Sequence, residues 1–229
     1  MIFENSQETI EIKADLFKLL NNKIGMKISG GADSAIVTYM LAKFAVAELP
    51  ELIIYPITCI ADTKPYQEIY AKRVIEKVTE LTGYTNWGKH FVGHGRTAHY
   101  TPDQETLVAS VYAEVIDLKV HLYGVTANPN PDESPELNEY RQKHGADGIN
   151  DRDKVPGNWR NWKAELAPLV NVDKKGVAEH YITQGVLEEL FPITRSCESH
   201  THWPEWDLEK HCEICYFCQE RYWGFGRYV

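Results

Sequence analysis

Apolar positions along this chain fall into short runs and helical stripes that alternate with one another. Residues 7–21 place Ile10, Ile12, Leu16, Leu19 and Leu20 at partly helical spacing, which predicts an opening helix. Residues 24–28 form a short apolar run and predict a strand. From about Asp33 to Ala47 the chain is apolar nearly all round, the mark of a helix buried on more than one side. Residues 52–60 are rich in isoleucine and bounded by Pro50 and Asp62, which predicts a second buried strand. A more polar helix follows over 66–81, closed by Gly83. Residues 91–93 predict a third strand, 106–118 a helix with Leu107, Val111, Val115 and Leu118 on one stripe, and 121–125 a fourth strand. Asp173 is placed to cap a last helix over 174–184.

Strands alternating with helices predict an α/β fold with a mainly parallel, Rossmann-like sheet. Ligands of such sheets sit at the carboxyl ends of the strands. Three segments fall there: 29–34, Thr58 to Asp62, and Thr126 to Asn128. Two stretches interrupt the pattern. Residues 128–136 are rich in Pro, Asn and acidic side chains, and 145–162 hold three glycines, three aspartates and two tryptophans. Both are predicted as long loops, which in a compact domain are more often functional or disordered than neutral. The chain divides into a main domain over 1–190 and a small cysteine-bearing region over 191–229.

The formal net charge is −9, from 24 basic and 33 acidic residues. A broad nucleic-acid surface is therefore not expected, and any phosphate chemistry must rest on backbone amides and a few chosen cations. Lys43, Glu48 and Glu51 interrupt the best apolar stretch, so no membrane span is expected. No N-terminal segment joins a basic start to an apolar run, so no secretory leader is expected, and the expected location is the cytoplasm.

The segment Ser29-Gly30-Gly31-Ala32-Asp33-Ser34 joins the first predicted strand to the first long helix. It has little side-chain bulk and many backbone N–H groups at a helix N-terminus, where orphan donors and the positive dipole end favour an anion. No Gly-Lys-Ser/Thr follows, which excludes a Walker A loop. Ser29 and Ser34 add hydroxyl donors. Asp33 caps the helix, or holds Mg²⁺ or the loop itself, since its charge repels phosphate unless a cation intervenes. Thr58 and Asp62, at the next strand end, are further candidates for the nucleotide. Lys174 opens a downstream helix and is the candidate cation for a departing pyrophosphate, with Lys175 competing for that role.

Four of the five cysteines cluster late in the chain. Fourteen residues separate Cys197 from Cys212, and Cys215 and Cys218 follow in two overlapping C-x2-C steps. The spacing fits a closed tetrahedral site of four thiolates, expected to hold a structural Zn²⁺. An iron–sulfur cluster is the alternative occupant, and His200, His202 and His211 are alternatives to one thiolate. Cys59 stands apart at a strand end and reads as a small buried apolar residue, with a catalytic thiol as the other reading. Trp159, Trp162, Trp203 and Trp206 are candidates to stack a flat ring, and Arg96, Arg152 and Arg160 to meet a carboxylate.

The 29–34 loop resembles the S-G-G-x-D-S loop of the N-type ATP pyrophosphatases, the PP-loop superfamily. Joined to the Pro168…Asp173-Lys174 helix start, Ser196-Cys197, and Cys212-x2-Cys215-x2-Cys218-x2-Arg221-x2-Gly224-Phe225, the pattern resembles the 7-cyano-7-deazaguanine synthases. The resemblance implies an adenine nucleotide alpha hydrolase-like fold and a ligase that uses ATP and Mg²⁺. In that reaction the carboxylate of 7-carboxy-7-deazaguanine attacks the α phosphate, ammonia displaces AMP to give the amide, and a second round gives the nitrile. It implies Ser34 and Lys174 as catalytic residues, residues 29–34 with Thr58 and Asp62 around ATP, and the four cysteines around zinc. Expected partners are a deazaguanine-like acid and ammonia, with a second copy of the chain as a homodimer partner. The middle departs from the family: its Val-Pro-Gly-Arg-Asn segment is replaced by His99-Tyr100-Thr101-Pro102-Asp103-Gln104, and Val155-Pro156-Gly157-Asn158 comes later in the chain. Two other readings share the loop: a PP-loop tRNA-modifying enzyme of the thiolation type, and a zinc-stabilised nucleotide-binding module without turnover.

Overall fold

The computed structural model describes residues 1–96, 100–144, 160–162, 165–198 and 209–229. Among these residues the chain builds a two-stranded hairpin, a six-stranded sheet and eight helices. The sheet runs in the order β5-β4-β3-β6-β8-β7, from β3 (Lys23–Lys27), β4 (Ile53–Ala61), β5 (Phe91–Gly95), β6 (His121–Leu122), β7 (Arg160–Trp162) and β8 (Glu165–Ala167). Every pairing is parallel except that of β7 with β8, which puts one antiparallel strand at the edge. The α/β expectation therefore holds.

The strand order locates a crevice. From β3 the chain moves through α2 (Ala32–Glu48) to β4, then through α3 (Gln67–Thr82) to β5. α4 (Tyr100–Glu114) then carries it back across to β6, on the other side of β3. The connections thus part on either side of β3, and in open α/β sheets the gap at such a switch point takes the ligand. The 29–34 loop leaves β3 there.

Helices cover both faces. On one face α2 and α3 pack with α1 (Ala14–Lys18), α6 (Lys174–Thr183) and α7 (Leu187–Leu190) around a core that includes Phe17, Met26, Phe44, Val74, Tyr181 and Phe191. The other face carries α4, whose Val108 and Val111 meet Ile57 and Phe91. α2 is buried nearly all round, as its composition predicts, until its last three residues, Val46, Ala47 and Glu48, which are exposed. Gly83 closes α3 with φ +73°, a left-handed position that only glycine takes without strain.

Several predicted elements change. Residues 7–21 are not one helix. They give β2 (Thr9–Glu11), paired antiparallel with β1 (Ile2–Glu4), and then the short α1. The sequence Thr9-Ile10-Glu11-Ile12 alternates with period two: Ile10 and Ile12 are buried, while Leu19 is 82% exposed. α4 begins six residues earlier than predicted, with Asp103 in its first turn accepting from the Arg96 amide at 2.7 Å. It ends earlier too, and Asp117 takes φ +69°. β6 is cut to two residues because the chain after Leu122 leaves the sheet for the N-terminus of α2. The predicted loop at 128–136 holds through residue 134, where α5 (Pro135–His144) begins, and neither α5 nor α8 (Tyr216–Phe225) is predicted. Both are polar or aromatic without an apolar stripe, so their sequences carry no helical period.

The C-terminal region lies on α6 and α7. Phe225 stacks on Phe191 with ring centroids 4.0 Å apart and meets Tyr181 edge-on at 5.5 Å. No helix among the described residues is long and apolar enough to cross a membrane.

Candidate functional site

The loop after β3 is shaped by its two glycines. Gly30 takes φ +78°, and a Cβ there would come within 2.4 Å of the Tyr70 side chain, so the position excludes any other residue twice over. Gly31 is the N-cap of α2 and contributes no side-chain cap, so the helix starts at Ala32 and Asp33 is not its cap. The first amide bonded within the helix is that of Ala35, to the Gly31 carbonyl at 3.0 Å. The amides of Ala32, Asp33 and Ser34 precede that ladder and supply the positive end of the dipole. Ser29 and Ser34 close the loop on itself: their hydroxyls lie 3.2 Å apart, and Ser34 Oγ donates to the Gly31 carbonyl at 3.0 Å. Gly124, just past β6, closes the crevice. A Cβ on it would sit 2.5 Å from the Ser34 nitrogen, so only glycine lets this segment reach the start of α2.

Lys174 arrives from the other side. Asp173 caps α6 as predicted, accepting from the Lys175 and Gly176 amides. Lys174 is 3% exposed, and its Nζ donates to both carboxylate oxygens of Asp33 at 2.7 and 2.6 Å. Glu220, on α8 and fully buried, lies 3.7 Å from the same Nζ. The two lysines differ in direction: Lys175 points outward to Glu133 at 3.4 Å and over the Trp223 ring. Asp33 is thus the partner of a buried lysine.

Two cavities flank the N-terminus of α2 and share Ser29. One, of about 110 Å³, is walled by Ser29, Gly31, Asp33, Lys174, Arg195 and Ser196, with Lys64 and Glu220 also on its lining. It combines the loop with three cationic residues. The other, of about 150 Å³, lies between β3, β4 and α4, where Ser29, Ser34, Ile57, Cys59, Leu107 and Tyr123 make a mostly apolar wall. The shape suits an anion on one side and a flat apolar body on the other.

The remaining candidates fall as follows. Thr58 is buried on the face of β4 away from the second cavity, which takes Ile57 and Cys59. Its hydroxyl donates to the Ile28 carbonyl at 2.7 Å and meets His90 at 2.9 Å, so it holds two strands together and is off both cavity walls. Asp62 is exposed beyond the end of β4 and lines neither cavity. Ala32 faces the core and gives the loop only its backbone. Burial and nearby Asp103 push the Cys59 thiol up to about 11 against the opposing pull of Lys27, so at neutral pH it is a neutral wall residue. Trp159, Trp203, Trp206, Arg152, His200, His202 and the Val155–Asn158 segment lie outside the described residues, and the side chains of Arg160 and Trp162 are not described either.

The four late cysteines converge. The sulfurs of Cys197, Cys212, Cys215 and Cys218 all lie within 4.8 Å of one another, and three of the four residues are buried. The Cys212 and Cys218 sulfurs are 3.8 Å apart, and the Cys215 amide donates to Cys212 Sγ at 3.3 Å. Neighbouring sulfurs drive the Cys218 thiol far above its ordinary range. A cation among them reverses that balance and favours the thiolates. The donor set fits a metal ion.

Sequence reasoning missed Arg195 and Glu220. Both are fully or almost fully buried beside the loop. The only signal was position: Arg195 stands two residues before Cys197, and Glu220 two after Cys218.

No family model matches the chain, and no curated protein matches it. Among solved structures, the chain is similar to the U34-tRNA thiolase NcsA from Methanococcus maripaludis with its [4Fe-4S] cluster. The two share 12% identity at a TM-score of 0.43, over 87% of this chain and 64% of the thiolase. The fold assignment rests on the strand order described above.

Proposed function

We infer that the protein is an ATP-dependent enzyme that activates a carboxylate by adenylation, releasing pyrophosphate and then AMP. The observation that carries this reading is the cavity that brings Ser29, Gly31 and Asp33 of the loop together with Lys174 and Arg195, in a chain without a Walker lysine. Loop amides and Lys174 would hold the β and γ phosphates, leaving the α phosphate open to attack. Charge then builds on the departing pyrophosphate, where preorganised N–H donors and a buried lysine act best. Ser34 serves the loop through its hydroxyl. Asp33, displaced from Lys174 by phosphate, is the ligand offered to Mg²⁺.

The acid we propose is 7-carboxy-7-deazaguanine or a close relative, with ammonia as the second substrate and an amide, then a nitrile, as products. The support is the motif resemblance at both ends of the chain. A carboxylate is a poor acyl donor, and adenylation turns its oxygen into a good leaving group. The cysteine centre is proposed to hold structural Zn²⁺. Four thiolates at about 2.3 Å from one zinc have sulfurs about 3.8 Å apart, and Cys212 and Cys218 stand at that spacing. A cluster that gives each cysteine its own iron spreads the sulfurs further.

The test is incubation of the purified protein with ATP, Mg²⁺, ammonia and 7-carboxy-7-deazaguanine, followed by mass spectrometry. AMP, pyrophosphate and an amide or nitrile are expected. Ser34→Ala should cut turnover about tenfold or more with an unchanged circular dichroism spectrum. ATP binding without AMP from any acid would sink the enzymatic reading, and thiolated tRNA in a sulfur-supplied assay would replace the substrate.

A further inference from the structure

The two segments that supply the cysteines also wall the phosphate loop. On one arm, the Arg195 amide donates to the Gly30 carbonyl at 2.8 Å. Cys197 follows two residues later, and its carbonyl accepts from the Tyr66 hydroxyl. Tyr66 is the N-cap of α3, and the Arg195 guanidinium lies 4.9 Å over its ring. On the other arm, Glu220 stands two residues past Cys218 and faces Lys174, which holds Asp33. Arg221 ties the arms once more, donating to the Thr194 hydroxyl at 2.9 Å. A metal that gathers the four sulfurs therefore sets the distance between the Gly30 contact and the Lys174 contact.

We propose that the four-cysteine centre is coupled to the phosphate loop, so that a filled centre raises the affinity for ATP and bound ATP raises the affinity for the metal. Tyr66 and Glu220 are the positioning residues of that coupling: Tyr66 acts through the Cys197 carbonyl and Glu220 through Lys174. The inference rests on the ATP reading above. Linkage requires the two effects to be the same factor.

That reciprocity supplies the experiment. Calorimetry on the zinc-loaded protein first reads ATP binding directly. Titration with a zinc-selective chromophoric chelator then reads the zinc dissociation constant with and without saturating ATP. ATP is expected to lower that constant about fivefold or more, the lower end of ordinary coupling. Tyr66→Phe and Glu220→Gln should keep bound zinc and a native circular dichroism spectrum, yet reduce the factor to less than about twofold. If Glu220→Gln does not fold, Tyr66→Phe carries the comparison alone. ATP binding with an unchanged zinc constant overturns the coupling, as does a folded variant with the full factor. Absence of ATP binding by the zinc-loaded protein overturns the ATP reading itself, and the coupling with it.

Discussion

His180 sits on α6, fully buried, with Nε2 against the Asn5 amide nitrogen at 2.9 Å. Asn5 donates, so Nε2 accepts and the neutral ring carries its proton on Nδ1. That Nδ1 has no hydrogen-bond partner. Burial pushes the imidazole down to about 4, from an ordinary value of 6.5. The unfolded chain therefore binds the proton more readily than the folded one. The stability tied to His180 is whole above pH 6.5, falls as the pH drops, and is gone below about 4. The full span is on the order of 3 kcal/mol. Urea unfolding between pH 7 and pH 4 should show this acid limb, and His180→Gln should flatten it whatever its effect at neutral pH. An unchanged slope in the variant would remove His180 from the account.

α8 meets α6 at a close approach that one glycine permits. A Cβ on Gly224 would lie 2.6 Å from the Lys174 carbonyl oxygen and 2.6 Å from its Cγ. Backbone cannot yield as a flexible side chain would, so Gly224→Ala must part the helices or shift Lys174. The expected cost is about 1–3 kcal/mol, the range for overpacking, read as a lower urea midpoint with an unchanged slope. Gly226 is the contrast: its φ is +69° and nothing lies within 4 Å of a Cβ built there. Gly226→Ala should cost only the conformational term, about 1 kcal/mol. Equal costs at the two positions would show that the helix contact does not constrain α8.

For the whole molecule, the cysteine centre joins the end of the chain to the loop that leaves its central strand. Metal analysis should give one zinc per chain, and Cys59→Ser should leave that content unchanged. Cys215→Ala should lose the zinc and lower the melting temperature by several degrees, since the metal's binding free energy adds to folding. A Cys215→Ala variant that keeps its melting temperature would show that the centre does not support the fold. Arg221 is the other tie across this region. It stacks at 3.8 Å on Phe191 and donates to the Phe191 and Tyr228 carbonyls. Burial lowers it to about 10, which leaves it charged at neutral pH.

The long apolar runs were legible because burial writes a period into the sequence: β3, α2, β4 and α3 follow from local pattern, and Asp173 and Gly83 act as caps through their own backbone and side-chain chemistry. The glycine loop and the cysteine spacing were legible for the same reason, since each is a short motif whose chemistry needs adjacent residues. Elements without a period were not legible: α8 carries buried Glu220 and Arg221 because tertiary partners meet each, Lys174 for Glu220 and the Thr194 hydroxyl with the Phe191 and Tyr228 carbonyls for Arg221, and the first hairpin hides a two-residue alternation inside a helical spacing. Tertiary structure alone decided that Lys174 faces Asp33 while Lys175 faces outward, that Thr58 binds strands, and that Arg195 and Glu220 stand beside the loop. Those placements depend on contacts between residues distant in the chain, from 30 positions for Ile28 and Thr58 to 141 for Asp33 and Lys174, and no local pattern encodes them.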